Sequence, residues 1–378
     1  MATDDLASPA ADPGPASTAR STDALSIRTM DTLKHSNPET LTHQDDPAPF
    51  DIVHTYHDLL ASDPEMTMPV AAIESLIDLL RATPSSTAME TVEVVRKEKA
   101  KLLESTPNPL PLLAGADLFE QYLLRSLRGQ TTTGGADERV LSFDETRSHL
   151  LHNRQLFAHR ARAARDSIAA WGSKYVVHGR VVLAAGGSRT VTKILLRAAA
   201  DPTRHFKVIC VVDGSERAEA SVDALRAAGL EVETISPNKV AYMLANQSRI
   251  NLVLVGTEVV MQNGGIISRM GTCQLAHLTK SVKGSLKRFY VAAETHKIVR
   301  KTALAYPMVN RVGISQKDVS KWENLGNEDV EDLGAATQRL LSEQDEVDYT
   351  DPELIDGIIT EQGVKMTSQI WEMVDDYI

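Results

Sequence analysis

The chain has 378 residues, with 40 Lys plus Arg against 51 Asp plus Glu, a formal net charge of −11, and only 4% aromatic residues. That length predicts two domains or one large one with aliphatic cores, and the negative balance speaks against nucleic acid as a direct partner. No run of about 20 apolar residues is present to span a bilayer, and MATDDLASPA lacks the basic-then-apolar order of a signal peptide. Cys210 and Cys273 are the two cysteines, with no CxxC pair and no histidine cluster at metal spacing. The expectation is a cytoplasmic protein without membrane, metal or cofactor.

Residues 1–48 are rich in Ala, Ser, Thr, Asp and Pro, which cannot repay the entropy of ordering, and predict a disordered tail. From Phe50, FDIVHTYHDLLASDP, PVAAIESLIDLLRAT, AMETVEVVRKEKAKLLES and ADLFEQYLLRSL repeat apolar residues every three or four positions. That period predicts a helical domain over 49–172. RGQTTTGGADERVL interrupts it with a flexible insertion at about 129–138. In the helix that resumes, Arg154, His159, Arg160, Arg162 and Arg165 fall on more than one face, so they are expected to face solvent.

After Val177 the texture changes to short runs rich in Val, Ile and Leu: GRVVLAAG, FKVICVVD, LEVETI, NLVLVGTEVV and RFYVAAET. Helical segments separate them, which predicts a Rossmann-like, doubly wound, mostly parallel sheet over 173–378, covered on both faces. A polar excursion interrupts it at about 303–346, and VDYTDPELIDGIITEQG reads as a last strand, a turn and a helix. The fold class expected is therefore α/β, a helical N-terminal domain followed by the sheet domain.

Ligands of such sheets sit beyond the carboxyl ends of the strands. Three ends stand out. After the first strand, Gly186 and Gly187 allow close backbone approach, and Ser188, Arg189 and Thr190 open a helix suited to an anion. After LVLVG, Glu258 is followed by an Asn263-Gly264-Gly265 turn with amides expected to point inward, then by Arg269 and Thr272 as donors. After RFYV come Glu294, Thr295, His296 and Lys297. Together these carboxylates, cations, hydroxyls and amides suit a sugar phosphate or nucleotide. The plainer reading pairs Glu258 with Lys297, or Glu294 with Arg269, in a polar crevice. Cys273 at a helix start is the nearby thiol, read as a small buried residue before a nucleophile. No catalytic set assembles, and none is assigned.

GSRTV, VGTEVVMQNGGIISRMGTCQLA, FYVAAETHKIVR and VDYTDPELIDGIITEQGV resemble the alpha-subunit family of the guanine nucleotide exchange factor for eukaryotic initiation factor two. EMTMPVAAIESLIDLL extends the resemblance into the helical domain. The resemblance implies a homodimeric regulatory and scaffold subunit, bridging two copies of the beta, gamma, delta and epsilon subunits. It implies sensing of the phosphorylated alpha subunit of initiation factor two, with exchange catalysed by epsilon. ALAYPMV and SQIWEMVDDYI are candidate pairing surfaces, and RKEKAK at Arg96–Lys101 offers cations to the phosphorylated partner. The same fold serves aldose–ketose isomerases acting on methylthioribose 1-phosphate and ribose 1,5-bisphosphate, which use a cysteine and an aspartate. The matching positions here are Gly186 and Glu258, and VVDGSERAEA with Asp213 stands where those enzymes clamp substrate. The resemblance thus implies a ligand pocket without its catalytic pair, the alternative being an active isomerase.

Overall fold

The computed structural model describes residues 50–83, 87–106, 108–128, 148, 154–282, 287–302 and 347–376. All belong to one compact unit, Pro49–Ile378. The expected tail, the 129–138 and 303–346 insertions and ALAYPMV lie outside the described residues. Among the described residues no helix is long and apolar enough to cross a membrane.

The helices described first are α1 (Ile52–Ser62), α2 (Met68–Ala82), α3 (Ala88–Glu104), α4 (Leu110–Arg128) and α5 (Arg154–Gly172). Asp51 starts α1 by accepting from the Val53 and His54 amides at 3.0 and 3.3 Å, and Thr87 starts α3 by accepting from Glu90 N at 3.2 Å. The centre is α2, whose Ile73, Leu76, Ile77 and Leu80 pack with Phe119 and Leu123 of α4. A Cβ on Gly115 would lie 2.0 Å from Pro69 O, so glycine is what lets α4 approach the start of α2. In the Arg96–Lys101 stretch Lys97 is exposed, but the other cations are paired. Arg96 pairs with Glu120 at 2.7 Å, and Lys99 with Glu120 at 2.8 Å and with Asp117, which ties α3 to α4, while Lys101 pairs with Glu98 within α3.

The second region is a sheet of seven strands: β1 (Val181–Ala185), β2 (Lys207–Val211), β3 (Glu231–Ile235), β4 (Ile250–Gly256), β7 (Arg288–Ala292), β10 (Gly357–Thr360) and β11 (Gly363–Lys365). They lie in the order β11-β10-β7-β4-β1-β2-β3, and every pairing is parallel except β10 with β11. Alternate residues fill both faces: Leu183, Ile209, Val253 and Phe289 on one, Val182, Val208, Leu252 and Leu254 on the other. Helices α6 (Arg189–Ala199), α7 (Glu216–Ala227), α8 (Val240–Asn246), α9 (Thr272–Ser281) and α10 (Ile370–Asp376) complete this region.

Two strand expectations need correction. NLVLVGTEVV is not one strand, because Thr257 Oγ1 donates to Val259 O and Ile267 O at 2.7 and 2.8 Å and turns the chain out of the sheet. Beyond that turn, β5 (Val259–Met261) and β6 (Ile266–Arg269) join β8 (Ile298–Val299) and β9 (Val347–Thr350) in a second sheet, ordered β8-β5-β6-β9. VDYTDPELIDGIITEQG likewise holds β9 and β10 and turns into β11 before α10. The second sheet packs Val259, Met261, Ile267 and Tyr349 against Leu110, Leu113 and Ala114 of α4, which joins the two regions.

Candidate functional site

The carboxyl ends of β1, β4 and β7 converge under the helical region. Beyond β1, Gly186 and Gly187 adopt φ of 78° and 55°. A Cβ on Gly187 would meet the Arg217 backbone at 2.6 Å, whereas one on Gly186 would meet nothing within 4 Å. Ser188 then starts α6, its hydroxyl accepting from Val191 N at 3.4 Å. A side chain on Gly256, at the end of β4, would fall 2.3 Å from Ser188 Oγ, so glycine there lets β4 lie under the loop.

Glu294 is the centre of the arrangement and is 1% exposed. Its carboxylate accepts from Thr190 Oγ1 at 2.8 Å, lies 2.8 Å from Lys297 Nζ, and lies 3.4 Å from Arg165 Nε. Burial alone would raise the Glu294 pKa, but the charges of Lys297 and His296 outweigh it and hold the carboxyl far below the usual carboxylate range. Lys297 also donates to Thr257 O at 3.0 Å. Burial lowers the His296 pKa to about 4 against the pull of Glu294, and its Nε2 sits 3.3 Å from Thr67 Oγ1.

The helical region supplies the remaining partners. Arg165 does not face solvent, contrary to the expectation from its place on a basic helix. It is 3% exposed, pairs with Glu294, and donates to the carboxylate and backbone carbonyl of Glu65. Arg189 turns toward the same connection between α1 and α2, donating to Pro64 O and, at 3.2 Å, to Met66 O. Glu258 accepts from Asn108 Nδ2 at 2.9 Å. Burial and the Glu258 charge both raise the pKa of the Tyr56 phenol.

The other sequence-predicted residues lie elsewhere. Asn263, Gly264 and Gly265 close the β5–β6 hairpin, where Gly264 N donates to Met261 O at 2.9 Å and Gly265 N to Asn263 Oδ1 at 3.2 Å. Those amides are engaged in the turn and do not point into the site; Asn263 Nδ2 donates to the Tyr349 hydroxyl at 3.1 Å. Arg269 approaches Asp213 at 3.7 Å, so the Glu294–Arg269 and Glu258–Lys297 pairings are replaced by Glu294–Lys297. Thr272 Oγ1 donates to Arg269 O at 2.6 Å at the start of α9. Asp348 caps that helix, accepting from Gly271 N and Cys273 N at 2.8 and 2.9 Å. Cys273 is no activated thiol: burial, then Asp348 and Asp351, push its pKa up to about 11, and burial does the same for Cys210.

Of the residues read from the sequence, the structure brings Thr190, Glu294 and Lys297 together, with Arg189 and Glu258 bonded to the helical region. It misses Arg165, Glu65, Thr67 and Asn108, which reach the site from the helical region with no local signature. The arrangement is a buried cluster of fixed charges in which the Glu294 carboxylate is already neutralised by cations.

A family model described as the initiation factor 2 subunit family matches residues 61–367. "Translation initiation factor eIF2B subunit alpha" of Dictyostelium discoideum is 26% identical over 330 residues, covering 84% of this chain and 94% of that protein. The alpha subunit of Caenorhabditis elegans is 25% identical, covering 85% and 96%. The ribose 1,5-bisphosphate isomerase of Archaeoglobus fulgidus is 26% identical over 59% of this chain and 65% of its own. The crystal structure of eIF2B beta from Chaetomium thermophilum superposes with a TM-score of 0.63 at 18% identity, over 86% of this chain and 95% of that one, a likeness of fold. With most of its length matched by one family model, the chain belongs to the initiation factor 2 subunit family.

Proposed function

We propose that this protein is a non-catalytic regulatory and scaffold subunit of the guanine nucleotide exchange factor for initiation factor two, acting in the cytoplasm. In this reading it forms a homodimer, joins the beta, gamma, delta and epsilon subunits, and lets the assembly respond to the phosphorylated alpha subunit of its substrate. The crevice around Glu294 remains as a pocket for a sugar phosphate or nucleotide. Full-length similarity to alpha subunits supports the assignment to this complex.

The observation that carries the non-catalytic reading is Gly186. By its resemblance to the related isomerases it stands where they carry a cysteine, and its backbone is left-handed at φ 78° with no side chain to supply a nucleophile. The chain's cysteines are Cys210, buried on β2, and Cys273, on α9 beside Asp348, and both thiols have raised pKa values. Glu258, in place of the aspartate, is bonded to Asn108 from the helical region.

The test is GDP release from initiation factor two catalysed by the other four subunits, with and without this protein, on unphosphorylated and phosphorylated substrate. The reading expects the protein to enter the assembly and to create inhibition by the phosphorylated form. A protein that neither joins nor alters either rate, and that converts ribose 1,5-bisphosphate to the ketose in a manner abolished by Glu258→Gln, would be an isomerase instead.

A further inference from the structure

A cavity of about 160 Å³ lies between α4, the 295–300 stretch that follows Glu294, and α10. Ala114, Asp117, Leu118 and Gln121 line it from α4, and their spacing of three and four residues puts them on one face of that helix. Ile298 and Val299 of β8 supply another wall, and Met373 of α10 a third. Glu294, Arg165 and Lys297 do not line it, so it meets the cluster around Glu294 only at Thr295 and His296.

The volume is close to the roughly 150 Å³ that holds a benzene ring in a protein interior, and would otherwise take about five waters. Against aliphatic walls such waters are short of hydrogen bonds, so a ring gains by displacing them. The buried Met373 adds a thioether, which packs well against an aromatic ring. Charge selects no ion here. Asp117 and Arg300 are of opposite sign, Asp117 is paired with Lys99, and His296 is neutral near pH 7 because burial holds its pKa at about 4. The Thr295 hydroxyl is spent on Glu361, and His296 Nε2 sits 3.3 Å from Thr67 Oγ1. Gln121 is different: its half-buried amide lines the cavity and makes no hydrogen bond among the described residues. A carboxamide sets a donor beside an acceptor and pairs through two parallel hydrogen bonds with an edge of the same pattern.

We infer that this cavity binds a small, uncharged heteroaromatic ring whose edge carries a donor beside an acceptor, with Gln121 reading that edge and Leu118 and Met373 packing on the ring. A phosphate or carboxylate fits less well, because the charges that line the cavity offset one another. A purely apolar occupant would shut the Gln121 amide away from water without a partner, which costs desolvation free energy. The inference does not rest on the regulatory role proposed above.

The test uses the full chain with its methionine methyl groups labelled for NMR, titrated with nicotinamide and, in parallel, with toluene and inorganic phosphate. The Met373 methyl signal, identified by its loss in Met373→Leu, is expected to shift and saturate with nicotinamide, and toluene and phosphate to bind at least about tenfold more weakly. Gln121→Leu keeps the side chain's size and has no bond to lose, so it is expected to weaken nicotinamide by about tenfold or more at an unchanged thermal midpoint. Leu118→Trp fills the space and is expected to abolish the shift; should that variant fail to fold, the Gln121→Leu titration decides alone. A Met373 signal unmoved by nicotinamide, equal affinity in folded Gln121→Leu, or equally tight binding of toluene or phosphate would each overturn the inference.

Discussion

Arg165 of α5 and Glu294 beyond β7 face each other at 3.4 Å, with 3% and 1% of their side chains exposed, and join the helical region to the sheet region. Neither charge can be rehydrated if the other is removed, and breaking such a buried pair typically costs about 3–5 kcal/mol. Because Lys297 stays beside Glu294, Arg165→Met is expected at the lower end, about 3 kcal/mol, by chemical denaturation. Arg165→Met with Glu294→Gln is expected to cost less than the sum of the single changes, since no orphaned carboxylate remains. Strict additivity in that double-mutant cycle would mean that the two groups do not interact.

The paired glycines after β1 separate backbone strain from steric overlap. Gly186 and Gly187 both have positive φ, at 78° and 55°, but only Gly187 has backbone, that of Arg217, within 2.6 Å of an added Cβ. Gly186→Ala is therefore expected to cost about 1–2 kcal/mol, the left-handed penalty alone. Gly187→Ala is expected to cost more than that, because α7 must shift. Equal midpoints for the two variants in a denaturant titration would refute the steric argument.

How much of this is legible in the residues depends on the range of each signal. Period-2 and period-3.6 patterns are local, so the helical region, the parallel sheet and the order of β1 to β4 can be read directly. The Gly-Gly-Ser helix start is also local, whereas the sequence pairs Lys297 with Glu258 and Glu294 with Arg269, and only the fold joins Glu294 to Lys297. Arg165 reads as solvated because its helix carries basic residues on several faces, and only the fold shows which one meets Glu294. Asn263-Gly264-Gly265 misleads for a related reason: a hairpin turn and an anion-binding turn use the same glycines, and the choice depends on whether Met261 O and Asn263 Oδ1 take the amides. The short β6, β8, β10 and β11 stay hidden because strands of two to four residues have too few alternations to register.

Two groups whose pKa values shift on folding give opposite dependences on pH. His296 falls from 6.5 to about 4 on folding, so its contribution to stability is full above 6.5 and is lost as pH falls toward 4. Asp348 rises from 3.8 to about 6, because burial outweighs the amides of Cys273 and Gly271. Its contribution is greatest below 3.8 and is lost as pH climbs through 6. Denaturation across this window is expected to show a shallower acid loss for His296→Gln than for the wild type. Asp348→Asn is expected to improve relative to the wild type as pH rises. Parallel pH profiles for wild type and both variants would remove both assignments.

Lys99 and Arg96 lie three residues apart on α3 and test whether this basic stretch is a binding face or a strut. Lys99 is 14% exposed between Asp117 and Glu120, whereas Arg96 is 59% exposed and touches Glu120 alone. Burial would lower the Lys99 pKa, but the two carboxylates outweigh it and raise it, while Lys99 and Arg96 hold Glu120 low despite its own burial. Lys99→Met leaves two half-buried carboxylates facing each other without their shared cation, and is expected to cost about 1–3 kcal/mol. Arg96→Ala removes one largely exposed pair and is expected to cost under about 1 kcal/mol. On the proposed regulatory reading, inhibition of nucleotide exchange by the phosphorylated substrate is expected to survive Arg96→Ala, because that guanidinium already has a carboxylate at 2.7 Å. Loss of that inhibition with an unchanged denaturation midpoint would make the stretch a contact surface after all.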